Sequence, residues 1–114
     1  MSSKGSRDWR TYADDILESC GKIRRFVQGM SYEAFVADER TRDAVIRNIE
    51  IIGEAAKNIP DDVTAKAPQI TWRNVRGMRD VLAHGYFGVS LEIIWATATT
   101  RIEQLETAVR NLLA

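Results

Sequence analysis

Apolar residues recur at three- and four-residue spacing along most of this chain, a rhythm that suits helices and leaves no room for strands. Trp9, Tyr12, Ala13, Ile16, Leu17, Cys20, Ile23 and Val27 form one such stripe, predicting a helix from about Asp8 to Gln28 that Gly29 stops. Ser31 is placed to cap a short helix ending near Asp38, with Phe35 as its apolar anchor. A third helix is expected from about Glu39 to Asn58, on a stripe of Val45, Ile49, Ile52, Ala56 and Ile59 widened by Ile46 and Gly53. Gly53 within it points to a closely approaching neighbour. Pro60 ends that helix, since it lacks a backbone donor and clashes with a continuing turn. A further turn or two fits between Asp61 and Ala67. Thr71 then caps a helix from Trp72 to about Ala83 or His84, with Gly85 at its end. Ser90 caps the last helix, whose inner face is Leu91, Ile94, Trp95, Ala98, Ile102, Leu105, Val109 and Leu112. The expected fold is all-α, an antiparallel bundle of four to five helices.

Length and charge narrow the functions open to such a bundle. With 114 residues the chain suits one domain, residues 8–114, behind a flexible lead-in of residues 1–7. The formal net charge is +0, so any contact with nucleic acid must come from a local cluster rather than a basic surface. The lead-in carries no apolar signal core, and no run is long enough to span a membrane. The one cysteine, Cys20, excludes an intrachain disulfide and fits a reducing cytoplasm. Its place in the first stripe marks a buried, inert thiol. No Gly-rich phosphate loop is present. Glu50 and Glu54 share a helix face, but without further ligands they make a poor metal site.

The remaining chemistry gathers between Trp72 and Tyr86. His84 is the only histidine, and it follows Arg79 by five residues. On an undisturbed helix those positions stand about 140° apart. Bringing them together requires either that the helix loosens near Gly85 or that a second subunit supplies part of the site. Arginine and histidine without a metal cluster suit cleavage of RNA by its own 2′-OH. A neutral imidazole takes the hydroxyl proton, and a guanidinium stabilises charge on the phosphoryl oxygens. The product is a 2′,3′-cyclic phosphate, and DNA, lacking the 2′-OH, does not react. Arg73, Arg76 and Arg79 recur every third residue and are candidates for phosphate binding. Asp80 either orients His84 or Arg79, or caps a surface charge. Simpler readings stand beside these: a solvated arginine face, a histidine serving a helix terminus, and Trp72, Tyr86, Phe87 and Trp95 as packing aromatics.

The pattern Arg79-x4-His84-x-Tyr86 resembles that of HEPN-domain proteins of the HepT type. The likeness extends to the segment Asp43–Ala56, to Pro68–Arg73 followed by Gly77–Asp80, to Gly85–Ser90, and to Ile94-Trp95. It implies a HEPN helical bundle that acts as a homodimer. It further implies the toxin of a prokaryotic, type VII-like toxin–antitoxin pair, a cytoplasmic, metal-independent ribonuclease that needs no cofactor. By position, Arg79 and His84 are the implied catalytic residues. Tyr86 is the implied acceptor of AMP from a minimal nucleotidyltransferase antitoxin. Each added AMP would bring a phosphate and a bulky nucleoside beside the site and block it. The competing expectation is a non-catalytic nucleotide- or RNA-binding dimer that serves only as partner and substrate of the nucleotidyltransferase.

Overall fold

The computed structural model describes the backbone of residues 8–85 and 90–114, and the side chains of residues 8–78 and 90–114. The expected lead-in, residues 1–7, lies outside the described residues. Everything described is helix or short connection: α1 (Trp9–Val27), α2 (Tyr32–Ala37), α3 (Glu39–Ala56), α4 (Asp61–Thr64), α5 (Trp72–Gly85), α6 (Leu91–Ala96), a π-helical segment (Thr97–Arg101) and α7 (Ile102–Leu113). The all-α expectation therefore holds.

Local chemistry sets the helix ends. Asp8 accepts from Arg10 N at 3.0 Å, and Ser31 Oγ accepts from Ala34 N at 3.1 Å. Gly29 leaves α1 at φ +75°, a left-handed conformation that glycine takes without steric cost. Asp38 does double duty. Its backbone N–H closes α2 on Phe35 O, while its carboxylate accepts from both the backbone and the hydroxyl of Thr41 to open α3. Those Thr41 bonds, the backbone one first, hold the Asp38 carboxyl below its ordinary pKa.

Packing follows the stripes. Ala13, Ile16, Cys20 and Ile23 on α1 are fully buried against Val45, Ile49 and Ile52 of α3 and Ile102, Leu105 and Val109 of α7 in one continuous core. Gly53 is buried on α3, and α3 packs on both α1 and α5. Chain direction can be read from shared linings. Tyr12 and Asp15 near the start of α1 face Glu54 and Asn58 at the end of α3, whereas Gln28 beyond the end of α1 faces Ala98 and Thr99. Both neighbours of α1 thus run antiparallel to it. Phe35 of α2, fully buried, closes the bundle on Trp95 with ring centroids 5.2 Å apart.

One departure from the expected last helix has a clear cause. Ile94, Ala98 and Ile102 are all buried, yet they step by four residues. On a pure α-helix each such step drifts about 40° round the axis. The π segment, closed by Ile102 N–H donating to Thr97 O, removes that drift and keeps all three on the core face.

Candidate active site

α5 carries the arginine and histidine positions, so its placement decides what they can do. Thr71 O accepts from Asn74 N and Val75 N, which puts Thr71 at the expected cap position. Trp72, 7% exposed, then sends its indole N–H to Ala67 O at 3.1 Å. One turn later Arg76 reaches across to the end of α3. Its Nε donates to Ala56 O at 3.1 Å, its Nη2 to Ile59 O at 2.9 Å, and its Nη1 to the Asp61 carboxylate at 3.2 Å.

The chemistry at the end of α3 explains this fork. A helix C-terminus leaves its last carbonyls without intrahelical donors and concentrates negative partial charge there. Gly53 O, Ala55 O and Ala56 O are taken by Lys57 N, Asn58 N and Ile59 N, and Glu54 O by Asn58 Nδ2. Pro60 follows and donates nothing. Arg76 brings a cation to this end, with a planar set of donors matched to two carbonyls. Hydrogen bonds from a charged group are worth about 1.5–3 kcal/mol each. Asp61 adds little, because its side chain is 93% exposed.

Arg76 therefore has a packing role: each of its three guanidinium nitrogens makes a hydrogen bond inside the chain. Arg73, by contrast, is exposed on the first turn of α5. Arg79, Asp80 and His84 lie in the second half of α5, and Tyr86 lies outside the described residues. The helix continues through Gly85. Positions 79 and 84 therefore stand about 140° apart around one unbroken axis and about 7.5 Å apart along it. The described helix ends at Gly85, with position 84 still on helical backbone.

Beside α5 a groove of about 520 Å³ runs toward the π segment, lined by Ile70, Val75, Met78, Thr97, Arg101 and the 61%-exposed Ile93. Glu50 and Glu54 line a separate groove between α1 and α3, with Tyr12, Asp15 and Arg47. Among the described residues no group of three or more histidine, cysteine, aspartate or glutamate side chains is placed to hold a metal ion. Among the same residues no helix is long and apolar enough to cross a membrane. Cys20 is fully buried, and burial first, then the nearby Glu106 carboxylate, pushes its thiol up to about 12. At neutral pH it is not a nucleophile.

Two structural arginine sites escaped the sequence reading. Arg76 gave a signal, since it lies one turn after Trp72 on the same face, but its carbonyl partners have no side-chain signature. The other is Arg24, whose Nε and Nη2 grip both oxygens of the buried Glu106 at 2.8 and 2.9 Å, with Arg110 adding a contact at 3.2 Å.

An all-α bundle with an Arg-x4-His pair on one internal helix is the class of protein that fold and site define. The family described as Ribonuclease HepT-like matches residues 16–112, and the chain belongs to it. The chain is 43% identical over 100 residues to a Thermococcus cleftensis protein named "Probable ribonuclease HepT", covering 88% of this chain and 91% of the relative. It is 42% identical over 104 residues to a protein of Caldanaerobacter subterraneus subsp. tengcongensis provisionally named an RNase, covering 91% and 93%. A Methanocaldococcus jannaschii protein, also provisionally named an RNase, is 38% identical over 110 residues, covering 93% and 91%. No solved structure matches the chain significantly.

Proposed function

We infer that this chain is an endoribonuclease that cleaves RNA through its own 2′-OH, and that it is the toxin of a toxin–antitoxin pair. The observation that carries the reading is the Arg79-x4-His84 pair on the continuous helix α5 of a chain in the ribonuclease HepT-like family. His84 takes the proton from the ribose 2′-OH, whose oxygen then attacks the adjacent phosphorus. Arg79 stabilises the charge that builds on the phosphoryl oxygens. The P–O5′ bond breaks, a proton from water or a second imidazole goes to the leaving oxygen, and a 2′,3′-cyclic phosphate remains.

Arg73 is the outward arginine proposed to meet the RNA backbone, and Asp80 is proposed to orient its neighbours. Two copies of the chain are proposed to form the working enzyme, because one unbroken helix holds positions 79 and 84 on different faces. The proposed control is transfer of AMP to Tyr86 by a minimal nucleotidyltransferase antitoxin, which would fill the phosphate subsite with charge and bulk.

The test is RNA cleavage by purified protein in EDTA, with and without His84→Ala. Wild type is expected to leave cyclic phosphate ends and to arrest growth when expressed without its antitoxin. His84→Ala is expected to lose at least about 10²-fold in rate, the scale of one general base. RNA binding with no turnover in wild type points instead to a non-catalytic binding dimer.

A further inference from the structure

We propose that Arg76 is a positioning residue for the ribonuclease site: by clamping α5 to the end of α3 it sets the rotation of the helix that presents Arg79 and His84. The proposal rests on the ribonuclease reading above.

The clamp is built to resist rotation. Trp72 and Arg76 are one turn apart and fasten the same face of α5 to the connection that follows α3. Trp72 holds Ala67 O, late in that connection. Arg76 holds Ala56 O, on the last residue of α3, and Ile59 O, near the start of the connection. Two attachments on one face, separated along the axis, oppose both rolling and sliding. The connection is itself tied by short-range bonds. Pro60 O and Asp61 O are occupied by the turns of α4, and Ala67 O also accepts from Ile70 N.

The position of the clamp relative to the motif matters. At 100° per residue, position 79 lies about 60° to one side of position 76, and position 84 about 80° to the other. The fastened face therefore falls between the two. A roll of α5 carries both positions together, moving one toward the bundle and the other away. A roll of about 20–30° displaces groups at a side-chain radius of about 5–6 Å by about 2–3 Å. Misplacement of about 1 Å costs on the order of 10²-fold in rate when reacting groups must be held in line.

The charge pattern separates this role from RNA binding. Arg76 already faces the negative end of α3 and a carboxylate, and its side chain is 26% exposed. A phosphate drawn to it would have to compete with carbonyl acceptors that are held at bonding distance. Loss of Arg76 should thus appear in kcat and leave KM nearly unchanged. Loss of a phosphate contact would appear mainly in KM.

The experiment compares wild type, Arg76→Met and Arg76→Lys on a defined RNA, well below each variant's melting midpoint and with helical circular dichroism recorded beside it. Arg76→Met keeps much of the chain length and removes every donor. Its kcat is expected to fall about 10- to 100-fold, with KM changed less than about threefold. Arg76→Lys restores charge and one donor group without the planar fork, and should recover part of kcat. His84 is the only histidine in the chain, so its imidazole resonance gives a reading independent of RNA. That resonance is expected to shift in Arg76→Met. An unchanged kcat, or a raised KM at unchanged kcat, overturns the proposal. If Arg76→Met does not fold, Arg76→Lys is decisive by the same criteria. If wild type does not cleave RNA, the ribonuclease reading fails, and the His84 resonance decides the clamp separately: an unmoved signal overturns it.

Discussion

Arg24 and Arg76 both turn a partly exposed guanidinium inward to fasten one helix to another, but they grip different chemistry. Arg24 binds a carboxylate that is buried on α7, joining the first and last helices. Arg76 binds backbone carbonyls at the end of α3 and fixes the helix that carries the motif. In the first case the costly group is the acceptor: a buried carboxylate stripped of its partner keeps its desolvation penalty. In the second the acceptors are backbone carbonyls, so its loss costs stability and also frees the rotation of α5. One clamp should therefore govern stability alone, the other stability and catalysis together.

The sharpest test of that division after Arg76 itself is the asymmetry within the Arg24–Glu106–Arg110 group. Arg24→Met leaves Glu106, whose side chain is only 7% exposed, with Arg110 as its remaining arginine. Breaking a buried pair costs about 3–5 kcal/mol, and the half-exposed position of Arg24 lowers the expected loss to about 2 kcal/mol. Glu106→Met releases two arginines whose side chains are 48% and 64% exposed, and should cost about 1 kcal/mol or less. Urea denaturation of the two variants measures the difference. RNA cleavage per folded molecule should be unchanged in Arg24→Met. The reverse order of stabilities, or a large loss of kcat in Arg24→Met, breaks the comparison.

Cys20 offers a smaller, pH-dependent probe of the same region. Its thiol titrates near 12 in the fold and near the ordinary 9.0 when exposed. Below pH 9 both states hold the proton and stability is unaffected. Above it the unfolded chain loses its proton while the folded chain keeps it, so stability falls by up to about 1.4 kcal/mol per pH unit until pH approaches 12. Thermal melting from pH 7 to 10.5 should show a decline that is shallower in Cys20→Ala. Equal declines in both proteins would place the alkaline loss elsewhere.

The smallest effect is expected at Asp61. Its pair with Arg76 is solvent-exposed on the carboxylate side, so Asp61→Asn should leave the carbonyl bonds and change kcat by less than about twofold. An effect as large as that of Arg76→Met would mean that the ion pair, not the carbonyl grip, holds α5.

Much of the bundle was legible because burial and helix phase are written into side-chain order. The stripes of α1 and α3, the cap at Ser31, the stop at Gly29 and the breaker Pro60 each act within a few residues of themselves. The Arg79–His84 pair was legible for the same reason, since a fixed spacing on one helix is a local property. The π segment was not, because α-helix and π-turn place Ile94, Ala98 and Ile102 differently only when a core demands that all three face it.

The local order of residues by itself determined the helices, the family motif and the angular separation of positions 79 and 84. The tertiary structure alone decided where each arginine spends its charge. Arg73 and Arg76 read alike as members of one basic stripe, yet one is exposed and the other is bound to Ala56, Ile59 and Asp61. Those acceptors are mostly backbone carbonyls, which every residue possesses, and only the docking of α5 on α3 makes them a site.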